Sequence, residues 1–253
     1  MTVMSEEQPT TDDRAAFASE RRVSSLLIGA DADLTARATA LFAEADRLRY
    51  SYVWTWLGVP IIQIPTDIVA TQEIIWATKP TLIVETGVAR GGSVILYSSI
   101  LELLGQGRVI GIDLDIRPHN RETIESHPLA HRIELIEGSS LDPGIISRVA
   151  SEAGNEERVM VVLDSNHTHS HVLAELEAYA DLVTPGSYLV VADTIVEAIP
   201  VSVRPRPWGH GDNPATALAE FLSVRRDFTP DGEINGKLLL TSSPGGYLVR
   251  LDR

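Results

Sequence analysis

The stretch that most constrains the fold is residues 81–93, TLIVETGVARGGS. A short apolar run leads to Glu85, glycines follow at positions 87, 91 and 92, and an amphipathic segment continues to about residue 104. This order predicts a buried strand, a tight turn and the N-terminus of a helix. Glycine suits such a turn because a Cβ would block close backbone approach or forbid a positive φ. The stretch therefore predicts an α/β unit whose turn can hold a nucleotide-like ligand.

The spacing of the glycines narrows the kind of ligand. It reads E-x-G-x-x-x-G, whereas dinucleotide-binding turns read G-x-G-x-x-G. A carboxylate at the end of the first strand suits a ligand that has a cationic end and no pyrophosphate, such as S-adenosylmethionine (SAM). The alternative is an ordinary βα turn of any α/β protein, and this stretch alone leaves that alternative open.

Charge and composition exclude several classes of function. The 253-residue chain has 21 Lys and Arg against 35 Asp and Glu, a net charge of −14, which argues against nucleic-acid and membrane partners. It has no cysteine, so disulfides, thiolate metal sites and a cysteine nucleophile are excluded. The first residues are polar and acidic, unlike a signal peptide, and the sequence has no membrane-spanning apolar run. We expect a soluble, cytoplasmic protein.

The N-terminal part of the chain is predicted to be separate from the sheet. Residues 1–12 have the composition of a disordered tail, and residues 13–49 have the pattern of two helices broken near residues 29–31, the second beginning at Asp33 or Thr35. Residues 50–67, with Pro60 and Pro65, are predicted to form a lid or connecting loop before a helix at 68–78. We therefore expect an N-terminal tail and helices over 1–50 and one larger domain over 51–253.

The rest of the chain alternates between strand and helix patterns. Further strands are predicted at 108–113, 132–136, 158–163 and 187–192, with helices between them and after them. Residues 237–241 and 247–251 flank a Ser-Pro-Gly turn and are predicted to form a C-terminal β-hairpin. The proline-rich residues 195–214 are predicted to be a lid or insertion. The pattern indicates a doubly wound, Rossmann-like α/β sheet of about seven strands.

Polar residues fall at the end of each of the first five strands of this sheet, and ligands bind at that edge of doubly wound folds. They are Glu85, Asp113, Ser139, Asp164 and Asp193. Asp113 ends the second strand, where an acid usually accepts hydrogen bonds from ribose hydroxyls.

A second group of candidate functional residues follows the fourth strand, in Asp164-Ser165-Asn166-His167. Asp164 and Asp193 can hold a hard divalent cation such as Mg²⁺, and His167 can remove a proton from a bound hydroxyl. A zinc site built from His167, His169 and His171 is the alternative. It is disfavoured because alternate residues point the same way only on a strand, and this stretch opens a helix.

Four longer stretches together resemble a known family. They are residues 58–67, 72–93, 163–194 and 211–222, and the most specific is LDSNH…VADT within 163–194. The chain resembles the cephalosporin hydroxylase/rhamnosyl O-methyltransferase family of SAM-dependent enzymes. The resemblance implies SAM bound at the glycine-rich end, usually with Mg²⁺, and many relatives methylate deoxysugar hydroxyls of glycosylated natural products.

The resemblance assigns roles to the residues at the strand ends. It places Glu85, Gly87 and Ser93 in the SAM cradle, Asp113 at the ribose, Ser139 by the adenine, Asp164 and Asp193 at the metal, and His167 as general base. Asp164 thereby lies beside both the cofactor and the reacting atoms. Relatives commonly have Glu-Asp where this chain has Ala192-Asp193, so one probable metal ligand is lost and the sequence identifies no substitute for it.

The resulting hypothesis is a SAM-dependent O-methyltransferase acting on a rhamnose-like hydroxyl of a glycosylated small molecule. A SAM-binding accessory protein that assists a partner tailoring enzyme is the alternative, and an NAD-dependent enzyme is disfavoured by the glycine spacing. Candidates for contact with the acceptor are Gln63, Asp67, Trp208 and His210, and Trp54 and Trp56 are further candidates to stack on the sugar or aglycone. Aromatic residues near the N-terminus make homo-oligomers an expectation.

Overall fold

The computed structural model describes residues 12–200 and 206–252, which form nine helices and nine strands besides short 3₁₀ turns. The helices are α1 (Arg14–Ala30), α2 (Ala32–Arg47), α3 (Pro65–Thr78), α4 (Gly92–Leu104), α5 (Pro118–Glu125), α6 (Pro143–Ala153), α7 (His169–Tyr179), α8 (Pro214–Val224) and α9 (Gly232–Lys237). The strands are β1 (Trp54–Trp56), β2 (Val59–Ile61), β3 (Leu82–Thr86), β4 (Arg108–Asp113), β5 (Ile133–Glu137), β6 (Val159–Leu163), β7 (Tyr188–Val191), β8 (Phe228–Pro230) and β9 (Tyr247–Arg250).

Seven of these strands form one sheet in the order β5-β4-β3-β6-β7-β9-β8. The first five run parallel to one another, and β9 and β8 are antiparallel additions at one edge. Strands β3 and β6 are buried along their whole length because helices cover both faces of the sheet, which explains their uninterrupted apolar sequences. The prediction of a doubly wound, Rossmann-like sheet of about seven strands is confirmed.

The two N-terminal helices break where the sequence predicts, but the second starts earlier. The side chain of Asp31 accepts a hydrogen bond from the backbone N–H of Leu34, so α2 begins at Ala32 and not at Asp33 or Thr35. Helix α1 packs on α9, where the backbones approach so closely that a Cβ on Gly29 would lie 2.6 Å from Cα of Gly236. The tail predicted at 1–12 lies, apart from residue 12, outside the described residues.

The prediction of a lid or connecting loop over residues 50–67 is wrong in part. The segment holds the hairpin β1–β2, whose turn residues Leu57 and Gly58 both have positive φ, as two-residue hairpin turns require. The indole N–H of Trp56 donates to Ser99 of α4 at 3.0 Å, which fixes the hairpin to the body of the protein. As Pro65 predicts, Ile64 is extended, and α3 begins at that proline.

The partner of the last strand also differs from the prediction. Strand β9 pairs with β8, whereas residues 237–241 form no strand. Asp231 accepts hydrogen bonds from the backbone N–H groups of Glu233 and Ile234 and so starts α9 within the connection between these strands. Thr241 donates its hydroxyl to Asp67 and takes no part in a strand ladder. None of the helices in the described ranges is long and apolar enough to cross a membrane.

The glycine-rich turn after β3 lies against the backbone that follows β6. Gly87 has φ +93°, and a Cβ at this position would lie 2.0 Å from the carbonyl oxygen of Asp164. Both the backbone conformation and the neighbouring chain therefore require glycine.

We expect Gly87→Ala to destabilise the fold by roughly 2–5 kcal/mol, since the substitution adds left-handed strain to a backbone clash. Urea denaturation measures the change. Gly154→Ala is the matched control, because its Cβ would meet its nearest neighbours at 3.4 Å. Equal stability of the two variants would contradict the close approach at Gly87.

Candidate active site

A cavity of about 520 Å³ opens at the carboxyl ends of β3, β6 and β7. It brings together residues that are far apart in the sequence, because parallel strands deliver their ends to one edge. Eight of the residues predicted from the sequence line it: Gln63, Asp67, Gly87, Asp164, His167, Asp193, Trp208 and His210. The other six do not line it: Trp54, Trp56, Glu85, Ser93, Asp113 and Ser139.

Asp164, His167 and Asp193 form a cluster of potential metal ligands on the cavity wall. One donor atom from each lies within 4.8 Å of the other two, and Nε2 of His167 is 3.3 Å from Oδ2 of Asp193. Asp164 is the first residue after β6, and His167 lies in the loop before α7. Asp193 follows β7 with a left-handed backbone, φ 54°. The ends of two neighbouring strands thus position the cluster.

The electrostatics of this cluster suit a cation. Burial raises the pKa of Asp164 well above its ordinary range, and the nearby charges of Asp193 and Glu85 raise it further. A bound divalent cation would relieve this repulsion. Two carboxylates and several waters satisfy Mg²⁺, and the imidazole offers a third donor. Across the described residues no other acid joins the group, so nothing replaces the carboxylate that Ala192 lacks.

Trp208 lies edge-on to the His167 ring, with centroids 4.8 Å apart and planes at 80°. The segment that carries it is held by hydrogen bonds from fully buried Asn213, which caps α8 and also donates to Glu197 and, at 2.8 Å, to the carbonyl of Gly209. These bonds hold the segment that places the indole in edge-to-face contact with the imidazole. Residues 201–205 of the predicted 195–214 insertion lie outside the described residues.

Glu85 lies behind the cavity wall. It is fully buried, and its two oxygens accept hydrogen bonds from the hydroxyls of Ser93 at 2.7 Å and Tyr97 at 2.9 Å. Burial is the main cause that raises the pKa of Glu85 to about 8. Tyr97, which the sequence reading missed, lines the cavity in its place. The sequence signal that could have identified Tyr97 is its position on the inward face of α4.

Asp113 and Ser139 lie at the ends of the neighbouring strands, and their side chains accept hydrogen bonds from backbone N–H groups. One carboxylate oxygen of Asp113 accepts from the N–H groups of Val88 and Ala89, both at 2.9 Å, and so holds the glycine-rich turn. The Ser139 hydroxyl accepts from Leu141 N–H at 3.2 Å. Their assignments to ribose and adenine stay predictions.

Asp67 is buried and fully hydrogen-bonded. It accepts from the hydroxyls of Thr241 (2.6 Å), Tyr247 (3.0 Å) and Ser242 (3.0 Å) and from the Ser242 N–H (2.8 Å). Burial nevertheless raises the pKa of Asp67, because desolvation outweighs these bonds. The carboxylate thus fixes the C-terminal loop beside the cavity, a role that the sequence did not indicate.

The three histidines of the H-x-H-x-H run have separate partners. Both ring nitrogens of His169 bond residues of α8, Nδ1 to Thr216 at 2.8 Å and Nε2 to Glu220 at 3.1 Å. The His171 ring bonds the hydroxyl of Ser165 at 3.1 Å. Only His167 lines the cavity, so the described geometry offers no site where all three histidines bind one zinc ion.

Several lining residues come from segments that the sequence analysis did not connect with the site. Phe42 and Asp46 lie on α2, and Ser242 and Ser243 lie in the loop before β9. For the serines a signal existed: an antiparallel strand begins at the edge where its parallel neighbours end. For the α2 residues the sequence carries no such signal.

Comparison with known proteins places this chain in a family. The profile of the family described as "Rhamnosyl O-methyltransferase/CmcI" matches residues 48–251. A rhamnosyl O-methyltransferase of Mycobacterium tuberculosis is 31% identical over 209 residues, which cover 78% of this chain and 80% of the relative.

Two solved structures of CmcI share the fold. The apo structure matches with a TM-score of 0.58 and 20% identity over 80% of this chain and 78% of that chain. A structure of CmcI with Mg and SAM matches with a TM-score of 0.54 and 19% identity over 79% of this chain and 78% of that chain.

The fold is Rossmann-like, and the candidate site lies at the carboxyl ends of its parallel strands. The chain belongs to the rhamnosyl O-methyltransferase/CmcI family and is a SAM-dependent O-methyltransferase.

We expect Glu85→Gln to gain stability relative to the wild type as pH rises. The carboxyl has an ordinary pKa of 4.5 and a folded pKa of about 8. Between these values the unfolded chain releases the proton and the folded chain retains it, so the wild type loses stability as pH rises. Glutamine cannot ionise and avoids this loss.

Urea denaturation of both proteins at about pH 5 and about pH 8 measures the difference, which should grow by a few kcal/mol, in order of magnitude, over that interval. Glu44→Gln, an exposed site on α2, is the control. A pH-independent difference would show that Glu85 is ionised in the folded protein.

Proposed function

We propose that the enzyme transfers the methyl group of SAM to a hydroxyl of a deoxysugar, rhamnose or a similar sugar, on a glycosylated natural product. The observation that carries the proposal is the cluster of Asp164, His167 and Asp193 on the wall of a cavity, with the Trp208 indole beside it. The names of the family and of the mycobacterial relative support a sugar hydroxyl as the acceptor.

Asp164 and Asp193 would hold a divalent cation, Mg²⁺ in the first instance. When bound, such a cation orients an acceptor hydroxyl and lowers its pKa. The donor set fits this role, because carboxylate oxygens are hard ligands and the cluster faces an open cavity in which waters or substrate oxygens complete the coordination.

His167 is the proposed general base. Its Nε2 faces the cluster at 3.3 Å from Oδ2 of Asp193, and its side chain is only 15% exposed. The unprotonated ring nitrogen of the neutral imidazole would accept the proton of the acceptor hydroxyl, and the Asp193 carboxylate would stabilise the resulting imidazolium. Trp208 restricts the rotation of the ring and shields it from water.

The acceptor would lie between this cluster and the walls that α2 and residues 206–210 contribute. Trp208 offers an apolar face for a sugar ring, and His210 offers a hydrogen-bonding group at the cavity.

The deciding experiment is calorimetric titration of SAM into the purified protein, followed by an acceptor screen that starts with rhamnosylated polyketides. Micromolar binding of SAM and methylation of a rhamnoside, abolished by EDTA and restored by Mg²⁺, are expected. Methyl transfer that persists undiminished in EDTA would overturn the metal part of the proposal. Transfer only to acceptors without a sugar would overturn the sugar part.

Replacing the base should separate catalysis from cofactor binding. We expect His167→Ala to lower kcat by at least about 100-fold, because general-base catalysis contributes factors of this order, and to leave SAM affinity nearly unchanged. Calorimetry and single-turnover assays measure the two effects. His131→Ala, at an exposed histidine outside the cavity, is the control. A variant that retains most of its activity would remove His167 from the mechanism.

Restoring the absent carboxylate should strengthen cation binding. Ala192 precedes the ligand Asp193 and lines the cavity, so we expect Ala192→Glu to raise the affinity for Mn²⁺, a paramagnetic substitute for Mg²⁺, by about tenfold or more. Electron paramagnetic resonance measures free Mn²⁺ directly. Ala198→Glu adds the same charge at an exposed position. Equal Mn²⁺ affinities in the Ala192→Glu and Ala198→Glu variants would mean that the added negative charge, and not coordination by the new carboxylate, governs binding.

A further inference from the structure

Gln63 carries an unexplained polar atom on the cavity wall. It lies between β2 and α3, and its side-chain oxygen Oε1 is buried without a hydrogen-bond partner. Within the described ranges, the other buried side-chain atoms that lack partners belong to residues that do not line the cavity. An unsatisfied buried acceptor is costly. Its location at the cavity suggests that a ligand supplies the donor.

The neighbours of Gln63 do not supply this donor. Its amide faces the hydroxyl of Tyr97, whose proton is already donated to Glu85 at 2.9 Å. The described lining of the cavity contains no lysine. Its one described arginine, Arg206, lies over the Trp208 ring at 5.3 Å.

The acidic groups around Gln63 indicate the kind of donor. Asp67 and Asp164 share its cavity, and Glu85 lies directly behind Tyr97. A ligand ammonium group would bring N–H donors and would favour the ionised form of these buried carboxyls, whereas a ligand carboxylate would oppose their ionisation. The terminal amide torsion of glutamine is broad, so rotation about it allows Oε1 to meet a ligand donor in the cavity.

We propose that Gln63 accepts a hydrogen bond from the α-ammonium group of SAM. The inference rests on the use of SAM and deepens the proposed function. It moves Gln63 from the acceptor side, where the sequence placed it, to the amino-acid end of the cofactor. In this arrangement Glu85 does not touch SAM directly. It is enclosed by Ser93 and Tyr97, and its carboxyl group holds the tyrosine in place.

The test compares ligands that do and do not carry the ammonium group. Calorimetry measures the affinities of wild type and Gln63→Leu for SAM, for S-adenosylhomocysteine, and for 5′-methylthioadenosine, which lacks the amino-acid end. The variant should bind the first two about tenfold more weakly or worse, since hydrogen bonds to charged groups are stronger than those between neutral groups. Its affinity for 5′-methylthioadenosine should not change.

Two further variants exclude trivial causes. Gln63→Glu keeps an acceptor and should retain SAM affinity, whereas Gln106→Leu makes the same replacement at an exposed glutamine outside the cavity and should have no effect. Equal weakening of all three ligands by Gln63→Leu would indicate general damage and overturn the proposal. Unchanged SAM affinity with a raised acceptor KM would overturn it in favour of an acceptor contact. Failure of the proposed function would instead show in the wild type, as rhamnosides that are not methylated despite SAM binding.

Discussion

The contact between the turn after β3 and the chain after β6 is the constraint on which the site depends. The two strands are parallel neighbours, with Thr86 opposite Leu163, so the residues that follow them must share one small space. Gly87 yields that space to the backbone of Asp164. Asp113 fixes the same turn from β4 through two backbone hydrogen bonds. Three strand ends are thereby held together, and backbone packing sets the position of the Asp164 cluster.

The sheet and much of the site follow from local signals in the sequence. Apolar runs mark β3, β4, β6 and β7, and the rule that parallel strands end at one edge brings Asp164 and Asp193 together. His167 joins them because only two residues separate it from Asp164. These inferences need no knowledge of distant contacts, which is why they agree with the structure.

Other features depend on partners that are remote in the sequence, and local patterns cannot reveal them. Residues 237–241 have the composition of a strand, yet Thr241 and Ser242 bond Asp67, which lies 174 and 175 positions away. Glu85 has the expected position at a strand end, but the hydroxyls of α4 draw it behind the wall. In both cases hydrogen bonds to a buried carboxylate outweigh the local preference.

Helix α2 contributes to the cavity although it lies before the domain boundary that the sequence predicts. The sequence places a boundary at residue 50, which stays a prediction, while Phe42 and Asp46 lie before it and line the cavity. A protein trimmed at that boundary would keep every strand end and every proposed ligand, but its reaction chamber would lack one wall. Under the proposed function, the acceptor would contact this wall together with residues 206–210. Substitutions in α2 would then change which acceptor fits without moving the strand ends.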